Sequence, residues 1–194
     1  MSLPNVEVPA ALNDLVRLRD KGESVELVEG TVVHKAAPSP AHGAAQLGLG
    51  DVLAPMRRRR HGGTESPGGW WLMTDVEVLY ANGDVYRHDA VGFRRDRHPE
   101  RPGSSPVAVR PDWAAEILSA ATARRDLVTK FRTLLAAAVP HYWVIDAEHE
   151  LLTVYRHTPV GCVTALTAGV PDVVNAEPFE AIEISMAVLF GKDE

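Results

Sequence analysis

A chain of 194 residues, 45% of them hydrophobic, can fill one core and hardly two, so a single domain over residues 1–194 is expected. A net charge of −6 argues against a surface that grips nucleic acid everywhere, while leaving room for a local basic patch. No apolar run is long enough to span a bilayer, the N-terminus lacks the basic start and apolar stretch of a signal peptide, and the single Cys162 excludes an internal disulfide, so a cytoplasmic address is expected.

In chain order, "VPAALNDLVRLRDKG" predicts a short helix ending near Gly22. "SVELVEGTVVHKAA" predicts two strands around a Glu29-Gly30 turn. A helix is expected from about Ala41 to the glycines at 62 and 63, although Pro55 and the internal Gly43, Gly48 and Gly50 weaken it. "GGWWLMTDVEVLY" and "DVYRHDAVGFRRD" read as a hairpin closed by "ANGD", since Asn-Gly between β-rich runs is a strong turn signal. Of the adjacent Trp70 and Trp71, which face opposite sides of a strand, one belongs to the core.

After a loop rich in Pro, Gly and Ser comes a strand from Asp112 to Ser119, then a helix from about Ala123 to Ala138 with Thr122 as N-cap. Leu127, Phe131, Leu134, Leu135 and Ala138 make its buried face, with Lys130 at the border of that face and Asp126 one turn before it. Two strands around "DAEHE", a strand at "VGCVTALTAG" and a short helix at "ISMAVLFG" complete the chain. The order is a mixed α/β pattern, with a parallel strand–helix–strand crossover over Asp112–Asp146 and antiparallel strands around it. Cys162 reads as a packing residue, and the scattered histidines lack zinc-ligand spacing.

Two acids interrupt apolar strand patterns. Strict alternation puts Asp89 on one face with Val85, Arg87, Val91 and Phe93, and His88 on the other; Glu116 shares a face with Ala114 and Leu118. Burying an ionised carboxylate costs several kcal/mol, about, unless a cation or strong donors meet it. For either acid alone a salt bridge to an arginine is the simpler reading; on neighbouring strands, the two suit one hard cation, Mg2+ or Mn2+. Lys130 is either a snorkelling lysine paired with Asp126 or an amine aimed at the acid pair. The basic run Arg57, Arg58, Arg59 and Arg60 is a solvated helix C-terminus or a set of phosphate contacts.

The blocks "VELVEGTVVHKAAPSPAHGAA", "GGWW", "VYRHDAVGFRRDR", "PDWAAEILSAATARRDLVTKFRTLLAAAVPHYWVIDAEHELLTVYR" and "AEPFEAIEI" resemble, in order and over nearly the whole chain, a bacterial family of restriction-endonuclease-like proteins in the PD-(D/E)XK nuclease superfamily. The resemblance implies a restriction-endonuclease-like core, a mixed sheet flanked by helices, and metal-dependent hydrolysis of nucleic acid, DNA in the first place. It places the superfamily's aspartate on Asp89 and its second acid on Glu116. The ordinary lysine position, two residues later, is Leu118, so the lysine is expected on the next helix as Lys130. The resemblance also implies the Ile117 carbonyl as a metal ligand and an earlier acid, Glu29 before Glu26. His88 stands where the family usually has proline. His42 and Gln46, one helical turn apart, either line the site or serve as caps and packing residues. A nuclease fold that binds nucleic acid or a partner without cutting is the alternative, and a homodimer through exposed strands is compatible with both.

Overall fold

The computed structural model describes residues 10–63, 65–119 and 123–192; the Thr122 cap lies outside them. Helix α1 (Ala10–Asp20) leads into the hairpin β1 (Val25–Val28) and β2 (Thr31–His34). The expected single helix after it is two: α2 (Pro40–Val52) and α3 (Ala54–Arg58). Pro55 explains the break, because it has no N–H to continue α2 and suits the first turn of α3. Ser39 starts α2 by accepting from the His42 amide at 3.1 Å.

The long hairpin of β3 (Trp70–Leu79) and β4 (Val85–Arg94) closes at Asn82-Gly83, with Gly83 at φ 89. Then come β5 (Trp113–Leu118), a π-helical turn (Arg125–Lys130) that runs into α4 (Phe131–Ala136), and β6 (His141–Asp146). Strands β7 (Leu151–Thr158) and β8 (Gly161–Gly169), a two-stranded ladder of β9 (Val173–Val174) with β10 (Ile184–Ser185), and α5 (Met186–Leu189) follow.

The main sheet has the order β2-β1-β4-β5-β6-β7-β8, with β3 also paired to β4. Among the paired strands of the described residues, β5 and β6 run parallel, joined by the π-turn and α4, as the crossover expectation requires. Strand β5 is covered on both sides: Trp113, Ala115 and Ile117 join one apolar cluster with α2 and α5, and Ala114 joins another with Leu134 of α4. A Cβ at Gly48 would lie 2.4 Å from the carbonyl oxygens of Val188 and Leu189, so only glycine lets α2 press against α5.

Two local irregularities shape the site. In the β3–β4 ladder, Thr74 pairs with Ala90 and Val76 with His88, but Asp75 and Asp89 between them are unpaired, and Asp75 has φ 55. The strands change face there. Met73 and Val76 pack on the same cluster, as do Tyr86 and Val91, although strict alternation would separate each pair. The expected common face of Val85, Asp89 and Phe93 is therefore corrected, since Val85 packs with α1 and Phe93 in the cluster under α4. The second irregularity is the π-turn. Its wider winding turns Asp126 and Lys130 inward and leaves Leu127 42% exposed, so Leu127 leaves the buried face assigned to it from a 3.6-residue period.

Candidate active site

Strand β4 is shared unequally on the edge opposite β3. Strand β1 pairs with it at Leu27–Val85, and β5 pairs with Ala90–Gly92. Between them the sheet forks, and charged side chains take over the backbone partners. Glu26 Oε1 accepts from the Arg87 amide at 3.0 Å, and Lys35 Nζ donates to the Arg87 carbonyl at 2.9 Å. The Gln46 amide donates to the Asp89 carbonyl at 3.1 Å.

Asp89 is buried at the mouth of this fork. Its Oδ1 is 2.5 Å from Lys35 Nζ; its Oδ2 accepts from the Ile117 amide at 2.8 Å and lies 3.3 Å from His42 Nε2. Burial alone would raise its pKa, but His42, Lys35 and the Ile117 amide hold the carboxyl well below the usual carboxylate range. Asp89 opens onto a recess of ≈110 Å³ lined also by Lys35, His42, Gln46, Asp75, Ile117 and Asp126.

Glu116 projects toward the π-turn. Its Oε2 is 2.9 Å from Lys130 Nζ and its Oε1 2.5 Å from His88 Nδ1. Burial pushes its pKa up to about 7, against the pull of Lys130. Lys130, 0% exposed, also meets Glu26 at 2.9 Å and Asp126 at 3.3 Å. Desolvation would neutralise it, but Glu116, Glu26 and Asp126 raise its pKa well above the ordinary value and keep it an ammonium. Glu26 also lies 3.2 Å from Arg125, and Lys130 and Arg125 outweigh its burial to lower its pKa. His88, which strict alternation turned away, lies on the Glu116 side because of the strand kink; its Nε2 is 2.7 Å from the Tyr80 hydroxyl.

The fork thus brings together Asp89, Glu116, Ile117, Lys130, His42 and Gln46. It does not bring in Glu29, which is exposed at the tip of the β1–β2 hairpin with φ 50, its amide donating to Asp84 at 2.7 Å. The turn conformation claims Glu29, and Glu26, one strand position inside the sheet, is the acid that reaches Lys130. Arg57, Arg58, Arg59 and Arg60 are all exposed at the end of α3. Trp70 is core against Phe179, while Trp71 lies under the Arg95 guanidinium at 3.9 Å. Sequence reasoning missed Lys35 and His88. The first is an ordinary lysine at a strand end, and the second becomes visible only once the β4 kink is known.

A larger recess of ≈380 Å³ lies elsewhere, beside Gly62, Gly68, Arg94 and Asp96. Arg94 and Asp96 there are already paired at 2.6 Å, so its size does not make it the catalytic candidate. Among the described residues, no group of three or more His, Cys, Asp or Glu side chains is arranged to hold a metal ion. The fork instead offers two carboxylates of hard-oxygen chemistry, and the Lys35 ammonium against Asp89 shows that positive charge is stabilised there. An ion held by both acids would have to displace Lys35 from Asp89 and draw Glu116 away from His88 and Lys130.

No curated protein matches the chain. A crystal structure described as a putative nuclease belonging to DUF820 from Anabaena variabilis has a TM-score of 0.68 and 21% identity, covering 94% of this chain and 98% of that one. Its likeness shows a shared fold, a large mixed sheet flanked by helices. The family described as Uma2, putative restriction endonuclease, matches residues 12–188, and the chain belongs to that family.

Proposed function

We propose that this protein is a nuclease that hydrolyses phosphodiester bonds of nucleic acid, DNA in the first place, using Mg2+ or Mn2+. The observation that carries the reading is a pair of buried acids on neighbouring strands at the fork, each beside its own lysine, Asp89 with Lys35 and Glu116 with Lys130. Asp89 and Glu116 would hold the ion, with the Ile117 carbonyl as a third ligand. When bound, it would supply charge stabilisation for the phosphate and a water of lowered pKa.

The two lysines divide the work. Lys130 is sealed among three carboxylates, so it fixes Glu116 and cannot itself reach a phosphate. Lys35 lines the open recess, and released from Asp89 it is the amine placed to meet charge developing on the phosphate oxygens. His42 and Gln46 hold Asp89 from the α2 side, and the Arg57–Arg60 run supplies phosphate contacts. Without an ion, burial holds the Glu116 pKa up to about 7, so the proton competes with a metal there and ion binding should strengthen as pH rises through neutrality.

Incubation with single- and double-stranded DNA and with RNA in Mg2+ or Mn2+ tests the reading. Cleavage is expected from the native protein, with a loss of at least about a hundredfold in Asp89→Asn and Glu116→Gln. Cleavage that persists at the native level in both variants would move the chemistry elsewhere.

A second reading has a specific observation in its favour. The carboxylate oxygens of Asp89 and Glu116 are already met by Lys35, His42, the Ile117 amide, Lys130 and His88. A fork neutralised by its own lysines would suit a protein that binds nucleic acid without cutting it. Pairing of two chains through a sheet end, β2 or β8, is compatible with either reading.

A further inference from the structure

The main sheet ends at β8, which pairs with β7 alone among the described residues. Along its outer edge, residues 162–168 have no backbone partner among the described residues. Edge strands are ordinarily blunted by charge or proline. Here no charged residue occurs from Thr158 to Pro171, and no proline lies within the strand. Of the nine large apolar side chains exposed among the described residues, five stand at this end of the sheet: Leu151, Val160, Val163, Val170 and Val173. We propose that this edge is an interface between two copies of the chain, with β8 of one pairing antiparallel to β8 of the other so that one sheet runs through both.

Three observations favour a second copy over another occupant. The first is self-complementarity. Val163 pairs with Arg156 and Leu166 with Val154, which leaves Ala165 as a bulge. Partners two apart on β7 share a face, so Val163 and Leu166 share one as well. Antiparallel pairing about the bulge then sets Val163 of each copy opposite Leu166 of the other, and the edge is its own apolar complement. The second is charge. A twofold axis brings each patch against itself, so a charged edge would meet its own sign. In a chain of net charge −6, the uncharged stretch is where two copies approach at least electrostatic cost. The third is the state of the other edges. Strand β2 has only four residues, between the charged Glu29 and Lys35. The outer edge of β3 is covered at one end by Val107, whose amide donates to the Glu77 carbonyl at 2.8 Å and whose carbonyl accepts from Leu79 at 2.9 Å. Strand β4, which carries Asp89, lies four strands in from β8, about 19 Å away. The pairing therefore leaves the Asp89 recess open and does not depend on whether the protein cuts nucleic acid.

Sedimentation velocity over about 1–100 µM tests the interface. The native protein is expected to pass from monomer to dimer in that range, and Val163→Glu to dissociate at least about tenfold more readily. The new carboxylate faces Arg156 within its own chain but loses water against Leu166 of the other copy. Thr31→Lys, at the opposite end of the sheet, should leave the equilibrium unchanged. The register has its own test. The same pairing sets Cys162 opposite Thr167 of the other copy, at a Cα separation of about 4.5–5.5 Å, which a disulfide spans. Within one chain these two positions lie about 17 Å apart along the strand, too far to join. Mild oxidation should therefore link Thr167→Cys into a covalent dimer and leave the native protein, with Cys162 alone, unlinked. The proposal is overturned if the native protein stays monomeric throughout, which would leave the edge to a different chain, if Val163→Glu dimerises like the native protein, or if Thr167→Cys gives no covalent dimer. A dimer lost in Thr31→Lys and kept in Val163→Glu would overturn it in favour of β2. No nucleic acid or metal enters these measurements, so their outcome is separate from that of the nuclease reading.

Discussion

Glu116 and His88 face each other in the dry interior with opposite proton preferences. Burial lifts Glu116 to about 7, and burial with the Lys130 charge drops His88 to about 3, from ordinary values of 4.5 and 6.5. Above about pH 7, Tyr80, whose pKa is raised by burial, keeps its proton and donates to His88 Nε2, and Nδ1–H donates to ionised Glu116. Below it, Glu116 carries a proton and donates to Nδ1, and the chain of bonds reverses. Between pH 4.5 and 6.5 the unfolded chain holds one proton on His88 and the folded chain holds one on Glu116. The numbers match, so the pair makes stability neither rise nor fall in that window. His88→Phe removes the proton from the unfolded side alone. Its stability relative to native should therefore fall as pH rises from about 4.5 toward 7, by up to about 1.4 kcal/mol per pH unit. Urea unfolding of both proteins at pH 5 and 6.5 checks this; a difference independent of pH would show that Glu116 is ionised throughout. Asp89 behaves in the opposite sense, its lowered pKa giving stability that is lost as pH falls below its ordinary value of 3.8.

Lys130 should be the costliest single truncation in the fork. Lys130→Met leaves Glu26, Glu116 and Asp126 buried around a thioether, and removing one partner of a buried ion pair costs about 3–5 kcal/mol. Denaturant titration at pH 8 should show that loss; a cost below about 1 kcal/mol would mean the carboxylates simply take up protons. That Asp89 and Glu116 are buried beside cationic partners was legible in the sequence, because an acid inside an apolar strand demands one. Which earlier acid completes the cluster was not, since Glu26 and Glu29 lie three residues apart and only the turn geometry separates them.

At the scale of elements, the sheet and its order follow from patterns that are plain in the chain: β-branched runs, the Asn82-Gly83 turn and the helix between β5 and β6. The errors came where an element departs from its ideal period. The unpaired Asp75–Asp89 position turns two strands over together, and the π-turn replaces Leu127 by Lys130 on the buried side. Neither departure has a composition signal beyond an aspartate, a residue that tolerates the left-handed region. The kink also sets the site, because it places His88 beside Glu116 and Asp89 at the fork. Asp75→Gly should keep it, whereas Asp75→Val, a β-branched residue at φ 55, should be less stable than the glycine variant by about 1–3 kcal/mol. Thermal unfolding of the two, with Asp75→Asn to isolate the loss of charge toward Gln46 and Arg87, would check this; equal stability of Val and Gly would mean the backbone relaxes freely.

For the whole molecule, the chain belongs to the putative restriction endonuclease family, and in the nuclease reading the chemistry turns on whether the fork exchanges its own cation for a metal. Lys35 lies 2.5 Å from Asp89, so it competes with any ion held there. The nuclease reading requires that competition to be lost under working conditions; the binding reading is satisfied if Lys35 always wins. Isothermal titration with Mn2+ on the native protein, Asp89→Asn and Lys35→Met separates the two most directly. The account predicts a saturable site in the native protein, its loss in Asp89→Asn, and binding tighter by about tenfold in Lys35→Met, the equivalent of about 1.4 kcal/mol. Absence of Mn2+ binding in both the native protein and Lys35→Met, or binding that survives unchanged in Asp89→Asn, would contradict it.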